Sequence, residues 1–237
     1  NLIDTLIVHN NYSKQQLLTQ NSSLIQKIKV ISHGHYLPFL QDDISRNEAR
    51  KNLDIELDKK VLLFFGMIKD VKGLDILLKA LPKIILKDQN IRLLIAGKSW
   101  KTDFKKYQKL INDFNIQGYC IIHHRFIPEK EVSTYYAASD LVVLPYKKIY
   151  QSGVLLMSMS YQIPVLVSDL PPMQEVVEDL ITGFVFKSEN VEDLAEKTVS
   201  ALSSQTKLKE VKNAALNKLR SDYDWEEIAK KLTSIYS

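Results

Sequence analysis

The sequence holds a single cysteine, Cys120, among 237 residues. A disulfide scaffold is therefore excluded, and the composition suits a reducing compartment such as the cytoplasm. No apolar run approaches the ~20 residues that a membrane-spanning helix needs; Val61 to Ile68 is among the longest. Arginine is scarce as well, because the 32 basic residues comprise 27 Lys and 5 Arg, dispersed along the chain. A net charge of +4 without clustered Arg and interleaved aromatics does not describe a nucleic-acid reader. The nearest cluster, Lys105, Lys106 and Lys109 beside Tyr107, falls on a predicted amphipathic helix. It reads as a solvated face, the alternative being attraction to an anionic membrane surface.

Glycine is also infrequent, at 7 residues, and no GxGxxG occurs, so the usual dinucleotide fingerprint is missing. Gly97-Lys98-Ser99 resembles the end of a P-loop, but the earlier glycine that a P-loop requires falls at Arg92. His123 and His124 point to opposite faces if extended, and no Cys or carboxylate cluster accompanies them, so no metal site is expected.

What is present is a globular composition, 45% apolar and 25% charged, which excludes disorder. Short runs apolar on both faces recur at Val61–Phe65, Ile91–Ala96, Tyr119–His123, Leu141–Leu144, Pro164–Val167 and Phe184–Phe186. Strands read this way when helices cover both sides of a parallel sheet. Helical periodicity between them predicts helices at Leu74–Leu86, Asp103–Phe114, Glu129–Ala138, Val154–Tyr161 and Met173–Glu178. Only helices follow the last strand, at Val191–Ser203, Lys207–Arg220 and Trp225–Tyr236. The fold class is therefore α/β, a doubly wound six-stranded parallel sheet.

The first forty residues are organised differently. A strand at Leu2–His9, a helix at Ser13–Gln20 and a strand at Ile28–Ser32 precede a loop-like hinge at His33–Asp43. Ser45 and Glu48 then have capping-box spacing. The expected division is residues 1–40, the end of a preceding domain, and residues 41–237, the main domain. Asn1 in place of Met predicts a piece of a longer protein.

In a doubly wound sheet, ligands sit beyond the carboxyl ends of the strands. After the first main strand, Gly66 permits a tight exit, and Lys69 and Lys72 precede a helix starting near Gly73. Two ammonium groups beside a helix N-terminus suit a phosphate; the alternative is a pair of solvated turn lysines. Gly97 after the second strand reads as a close-approach turn. After the third strand, Arg125, Phe126 and Ile127 can edge a flat base or a sugar. After the fourth, Gln151-Ser152-Gly153 opens an apolar helix whose start lets an anion approach backbone amides. Gly153 can alternatively serve packing alone. Met157 to Met159 reads as core. His33 and His35 share one face of an extended segment, structural or turned into a cleft.

Together FFGMIKDVKGLDILLKAL, LLIAG, FIPEKEVSTYYAASDLVVLPY, QSGVLLMSMSYQIPVLVSDLPPMQEVVEDLITGFVF and YDWEEIAKKL resemble the donor half of family 4 retaining glycosyltransferases of the GT-B type. The resemblance spans roughly residues 28 to 237. It implies a nucleoside-diphosphate-sugar donor as substrate, no separate cofactor, and a saccharide or lipid-linked acceptor bound mainly by an N-terminal domain. That domain would be represented here only by its end. It also implies a cytoplasmic enzyme of cell-surface polysaccharide synthesis, with peripheral contact at the inner membrane face.

Carried over by position, the resemblance gives Lys72 the donor diphosphate, with Lys69 replacing the family's arginine at Met67. It gives Ser152 and Gly153 the phosphates, and Gly97 and Arg125 to Ile127 the nucleoside. Gly66, Gln151, Glu175 and His35 become sugar or cleft candidates. The family's paired glutamates fall at Ile149 and Met157, so no catalytic residue can be nominated and the usual ribose contact is missing. An inactive nucleotide-sugar-binding partner subunit is the competing function. A sugar-nucleotide epimerase would need cleft carboxylates that these turns lack.

Overall fold

A computed structural model describes residues 4–40 and 44–236. The chain begins with a small parallel βαβ unit: β1 (Leu6–Val8), α1 (Asn11–Gln20) and β2 (Ile28–Val30), with Leu6 opposite Ile28. The predicted strand from Leu2 is thus shorter, and residues 1–3 lie outside the described residues. Asn10 ends β1 early, because its side chain turns to cap α1 at the Ser13 amide. The hinge contains a single 3-10 turn at Leu37–Phe39, with Pro38 fixing its first positions, and residues 41–43 fall outside the described part.

The main domain starts with α2 (Arg46–Asn52), capped by the Ser45 hydroxyl accepting from the Glu48 amide at 3.3 Å. It continues through β3 (Lys60–Phe65), α3 (Leu74–Lys87), β4 (Ile91–Ala96), α4 (Lys105–Asp113), β5 (Cys120–His123), α5 (Glu129–Ala137) and β6 (Leu141–Leu144). Then come α6 (Gly153–Ser160), β7 (Val165–Ser168), α7 (Pro171–Gln174), β8 (Phe184–Phe186), α8 (Val191–Ser203), α9 (Gln205–Asp222) and α10 (Trp225–Tyr236). None of the described helices is long and apolar enough to cross a membrane.

The main sheet is parallel and six-stranded, in the order β5-β4-β3-β6-β7-β8. The chain winds outward from β3 to β5, returns to place β6 beside β3, and winds out the other way. This order puts the topological switch between β3 and β6. Alternation along each strand feeds two cores. Leu62, Phe64, Leu93 and Ile95 join α3, α4 and α8 on one face, while Val61, Leu63, Phe65 and Leu94 join α2, α5 and α6 on the other. Burial on both faces explains why the strands read as unbroken apolar runs.

Two expectations need correction. The helix predicted at Met173–Glu178 is the four-residue α7, because Glu175 turns away to another element and the following residues form a tight turn closed by Thr182. Tyr119 belongs to a 3-10 turn, and β5 begins at Cys120. The lysine cluster lies as expected on a solvated face: Lys105, Lys106 and Lys109 are exposed on α4 while Tyr107 turns inward, and the Lys106 ammonium is tied to Asp70 and lies over the Tyr107 ring.

Arg50 has no side-chain exposure, at 0%. Its guanidinium donates to the Ala138 carbonyl at 3.1 Å, the Leu57 carbonyl at 2.7 Å and Asp140 at 2.9 Å. Asp140 also accepts from the Val61 amide at 2.7 Å, so one buried pair joins α2, the end of α5 and the start of β3. Removing one member leaves an uncompensated charge in the interior. Asp140→Ala is expected to lower unfolding free energy by about 3–5 kcal/mol in chemical denaturation. A loss below about 1 kcal/mol, the size of an exposed pair, would show that this pair does not hold the sheet edge.

Candidate functional site

Four turns meet beyond the carboxyl ends of β3, β4, β5 and β6. The turn after β3 and the turn after β6 are locked backbone to backbone. Gly73 takes a left-handed φ of +69°, and a Cβ there would lie 1.8 Å from the Pro145 carbonyl oxygen. Only glycine allows that approach. The Lys147 amide then donates to the Val71 carbonyl at 2.8 Å, and the Lys147 ammonium donates to Asp75 at 2.9 Å. The turn after β4 is joined similarly. A Cβ on Gly97 would stand 2.0 Å from the Gly66 carbonyl, and the Ile68 amide donates to the Lys98 carbonyl at 2.9 Å.

This framework brings Lys72 to the switch point. Its Nζ lies 3.4 Å from the position a Cβ on Gly66 would occupy, and Val154 of α6 lies 3.2 Å from the same point. The ammonium and the first turn of α6 therefore converge. Lys72 also lies 5.6 Å from the centroid of the buried Tyr146 ring. No carboxylate pairs with Lys72 among the described residues. Burial, reinforced by the charge of Lys69, pulls the Lys72 pKa down from 10.5 to about 8. A desolvated cation beside a second cation is an arrangement that a nearby anion would stabilise.

The start of α6 supplies the complementary donors. Ser152 is its N-cap, and its hydroxyl accepts from the Leu155 amide at 3.2 Å. The Ser152 side chain is thus spent on the helix end, while the Gly153 and Val154 amides find no acceptor among the described residues. They add to the positive end of the helix dipole. The structure therefore brings together Lys69, Lys72, Ser152, Gly153 and Gly66.

Beside this rim lies a hollow of about 420 Å³ lined by Gly66, Met67, Gly97, Trp100, Phe126 and Met157, among others. Its volume falls in the ~300–1,000 Å³ range of small-molecule sites. Phe126 is 74% exposed and Trp100 53% exposed, so two large aromatic faces stand open at its walls. Ile127 lines it as well, but Arg125 does not. The Arg125 guanidinium is drawn instead to Glu131 and to the Tyr135 hydroxyl at 3.2 Å. Trp100 carried no assignment in the sequence; its signal was a large aromatic directly after a strand-end glycine turn. Met157, expected in the core, lines the hollow, whereas Met159 is buried as expected.

Gln151, Ser152 and Glu175 line a separate cleft against the turn between β1 and α1 and the end of β2, together with His33. Glu175 is already occupied there. Its carboxylate accepts from the Asn11 amide at 2.9 Å and the Tyr12 amide at 2.7 Å, which makes it a charged cap on α1. His35 is not brought to these hollows. It is buried, its amide donates to the Tyr223 carbonyl at 2.9 Å, and its own carbonyl accepts from Trp225 Nε1 at 2.8 Å. No group of three His, Cys, Asp or Glu side chains is placed to hold a metal ion among the described residues.

Comparison with known proteins follows this geometry. The chain is 27% identical to the Bacillus subtilis spore coat protein SA, over 81% of this chain and 52% of that protein. It is 26% identical to the Salmonella typhimurium lipopolysaccharide 1,2-N-acetylglucosaminetransferase, over 86% of this chain and 55% of that protein. Anabaena Alr3699/HepE, solved in complex with UDP and glucose, superposes with a TM-score of 0.88 at 18% identity, covering 98% of this chain and 63% of that one. Sucrose-phosphate synthase from Thermosynechococcus elongatus gives 0.84 at 20% identity, covering 98% of this chain and 57% of that one. The chain thus spans about half the length of the curated relatives it matches, and the likeness in structure establishes that it shares the α/β fold of the matched part of those proteins. Residues 45–218 match the family described as glycosyl transferases group 1, and the chain with its switch-point lysine and open helix start belongs to that family.

Proposed function

We propose that the chain is the donor-binding half of a retaining, family 4 glycosyltransferase. Residues 41–237 would hold a nucleoside-diphosphate sugar, and residues 1–40 would close the acceptor-binding domain. The enzyme would move a hexosyl unit to a saccharide or lipid-linked acceptor in cell-surface polysaccharide synthesis, working in the cytoplasm at the inner face of the membrane. The observation that carries this reading is the unpaired Lys72 ammonium converging with the open start of α6. Relatives named as glycosyltransferases support it, and UDP in the HepE structures makes uridine diphosphate the first donor nucleotide to test.

Departure of the diphosphate builds negative charge on its oxygens. Lys72, Lys69 and the Gly153 and Val154 amides are aimed where that charge grows, and each such donor at an oxyanion site contributes ~2.7–4 kcal/mol. Retention would be served by the leaving phosphate acting as the base, since no Asp or Glu pair flanks the site among the described residues. The second reading, a non-catalytic nucleotide-sugar-binding subunit, is favoured by one feature: Ile149 and Met157 stand where the family places two glutamates.

UDP, GDP and ADP are to be compared for their effect on melting temperature. One of them is expected to raise it, because a ligand at 100 times its dissociation constant adds ~2.7 kcal/mol to the folded state. Transfer or donor hydrolysis by the full-length protein separates the enzyme from the binding subunit. Binding without either reaction decides for the subunit.

Lys72→Ala is expected to weaken binding of the same nucleoside diphosphate by ~1.5–3 kcal/mol, the scale of hydrogen bonds to charged groups. Unchanged affinity in titration calorimetry would remove Lys72 from the phosphate site.

Affinity should also depend on pH. The Lys72 pKa in the free protein is lowered to about 8, so below that value the cation is ready for the anion. Above it, binding must first return a proton, and affinity is expected to fall by up to tenfold per pH unit, with proton uptake visible in buffers of different ionisation enthalpy. The sign for stability is opposite. The buried ammonium disfavours the folded state, and that penalty, full below about 8, is relieved progressively as pH rises from about 8 to 10.5. Constant affinity from pH 7 to about 9.5 would contradict the assignment.

A further inference from the structure

A side chain from outside the main sheet reaches the open start of α6. Tyr36 lies in the hinge, and a Cβ on Gly153 would stand 2.9 Å from its hydroxyl oxygen. No hydrogen bond joins that hydroxyl to the Gly153 or Val154 amide, and none of the described residues gives it another partner. The hydroxyls of α6 itself are already spent. Ser152 accepts from the Leu155 amide, Ser158 donates to the Val154 carbonyl at 2.6 Å and Ser160 to the Leu156 carbonyl at 2.8 Å. The Tyr36 phenol is thus an uncommitted donor standing beside two amide donors that need an acceptor. An anionic oxygen at the start of α6 would answer all of them.

Other contacts hold Tyr36 in this place. Its amide donates to Ser160 Oγ at 3.0 Å, which pins the hinge backbone to the far end of α6. Its ring stacks on His33 with centroids 5.5 Å apart, and His33 in turn meets the Trp225 ring edge-on at 5.7 Å. Tyr36 also lines a hollow with Phe39, Tyr161 and Trp225, and Met157, which lines both, forms the ridge between this hollow and the aromatic one. Packing alone would not require the hydroxyl. A phenyl ring would stack on His33 equally and would relieve the crowding at Gly153, where any side chain would strike the phenol oxygen.

We infer that the Tyr36 hydroxyl is a further donor to the bound diphosphate, reaching from the hinge to the start of α6. The anion then has a contact outside the main domain, and occupancy of the site holds the hinge segment against α6. The inference rests on the donor reading above and adds a ligand-touching residue to it.

The test is titration calorimetry of wild type and Tyr36→Phe with UDP, GDP and ADP. For the nucleotide that wild type binds, Tyr36→Phe is expected to weaken binding by about tenfold or more, the scale of a lost hydrogen bond to a charged group. A loss below about threefold overturns the inference. Melting of the ligand-free proteins separates contact from packing. The variant keeps its ring and its backbone bond to Ser160, so its melting temperature is expected within about 2 °C of wild type. A larger fall makes Tyr36 a packing residue and overturns the inference. Competition by inorganic pyrophosphate locates the contact: it is expected to displace the nucleotide from wild type and to lose affinity for Tyr36→Phe by the same factor as the nucleotide. Pyrophosphate that binds both proteins alike, or that displaces nothing from wild type, moves the contact off the diphosphate and overturns the inference. If none of the three nucleotides binds wild type at millimolar concentration, the donor reading falls and this inference with it, whereas binding that Tyr36→Phe leaves intact sinks the inference alone.

Discussion

Two backbone segments lie in contact at Gly73 and Pro145, and the position of every charged group in the site follows from that contact. Parallel strands deliver their turns to the same edge of a sheet, but they do not by themselves bring two turns within bonding distance. The left-handed residue does so here, at a distance no side chain would permit. It places the turn after β3 against the turn after β6, where the sheet order reverses. Lys72, immediately before that residue, then has nowhere to go except over Tyr146 and towards the start of α6.

The electrostatics divide between groups that are satisfied and groups that are not. Arg50 is wholly buried and fully partnered, and it serves the scaffold. Arg125 has Glu131, Lys106 has Asp70, and Glu175 has the amides of α1. Against that background Lys72 and the first amides of α6 stand out, because among the described residues no carboxylate pairs with the one and no acceptor meets the others. Such incompleteness costs free energy in the empty protein, and an anionic ligand would offset it.

The sheet was legible in the sequence because its strands are buried on both faces and carry apolar residues without interruption. That Gly66, Lys72 and the start of α6 gather at one end of the sheet was legible too, because each lies just beyond the carboxyl end of a strand. What could not be read was which neighbour would claim each side chain. Arg125 looked free beside Phe126, but Glu131, in the first turn of α5, takes its guanidinium. His35 and His33 were equivalent by spacing, yet Trp225, 190 residues later, ties the His35 carbonyl and leaves the other histidine to the cleft. Met157 and Met159 differ in sequence only by position, and α6 turns one into the core and the other onto a ridge. Local pattern carries the elements, and long-range pairing decides the side chains.

Both tryptophans occupy informative positions. Trp100 stands in the aromatic hollow, and Trp225 clasps the segment between the small βαβ unit and the main domain. Their indoles sample separate surroundings, one open to an incoming ring and one anchored by its N–H. The two indoles are thus separate fluorescent probes, one of the hollow's surroundings and the other of the hinge.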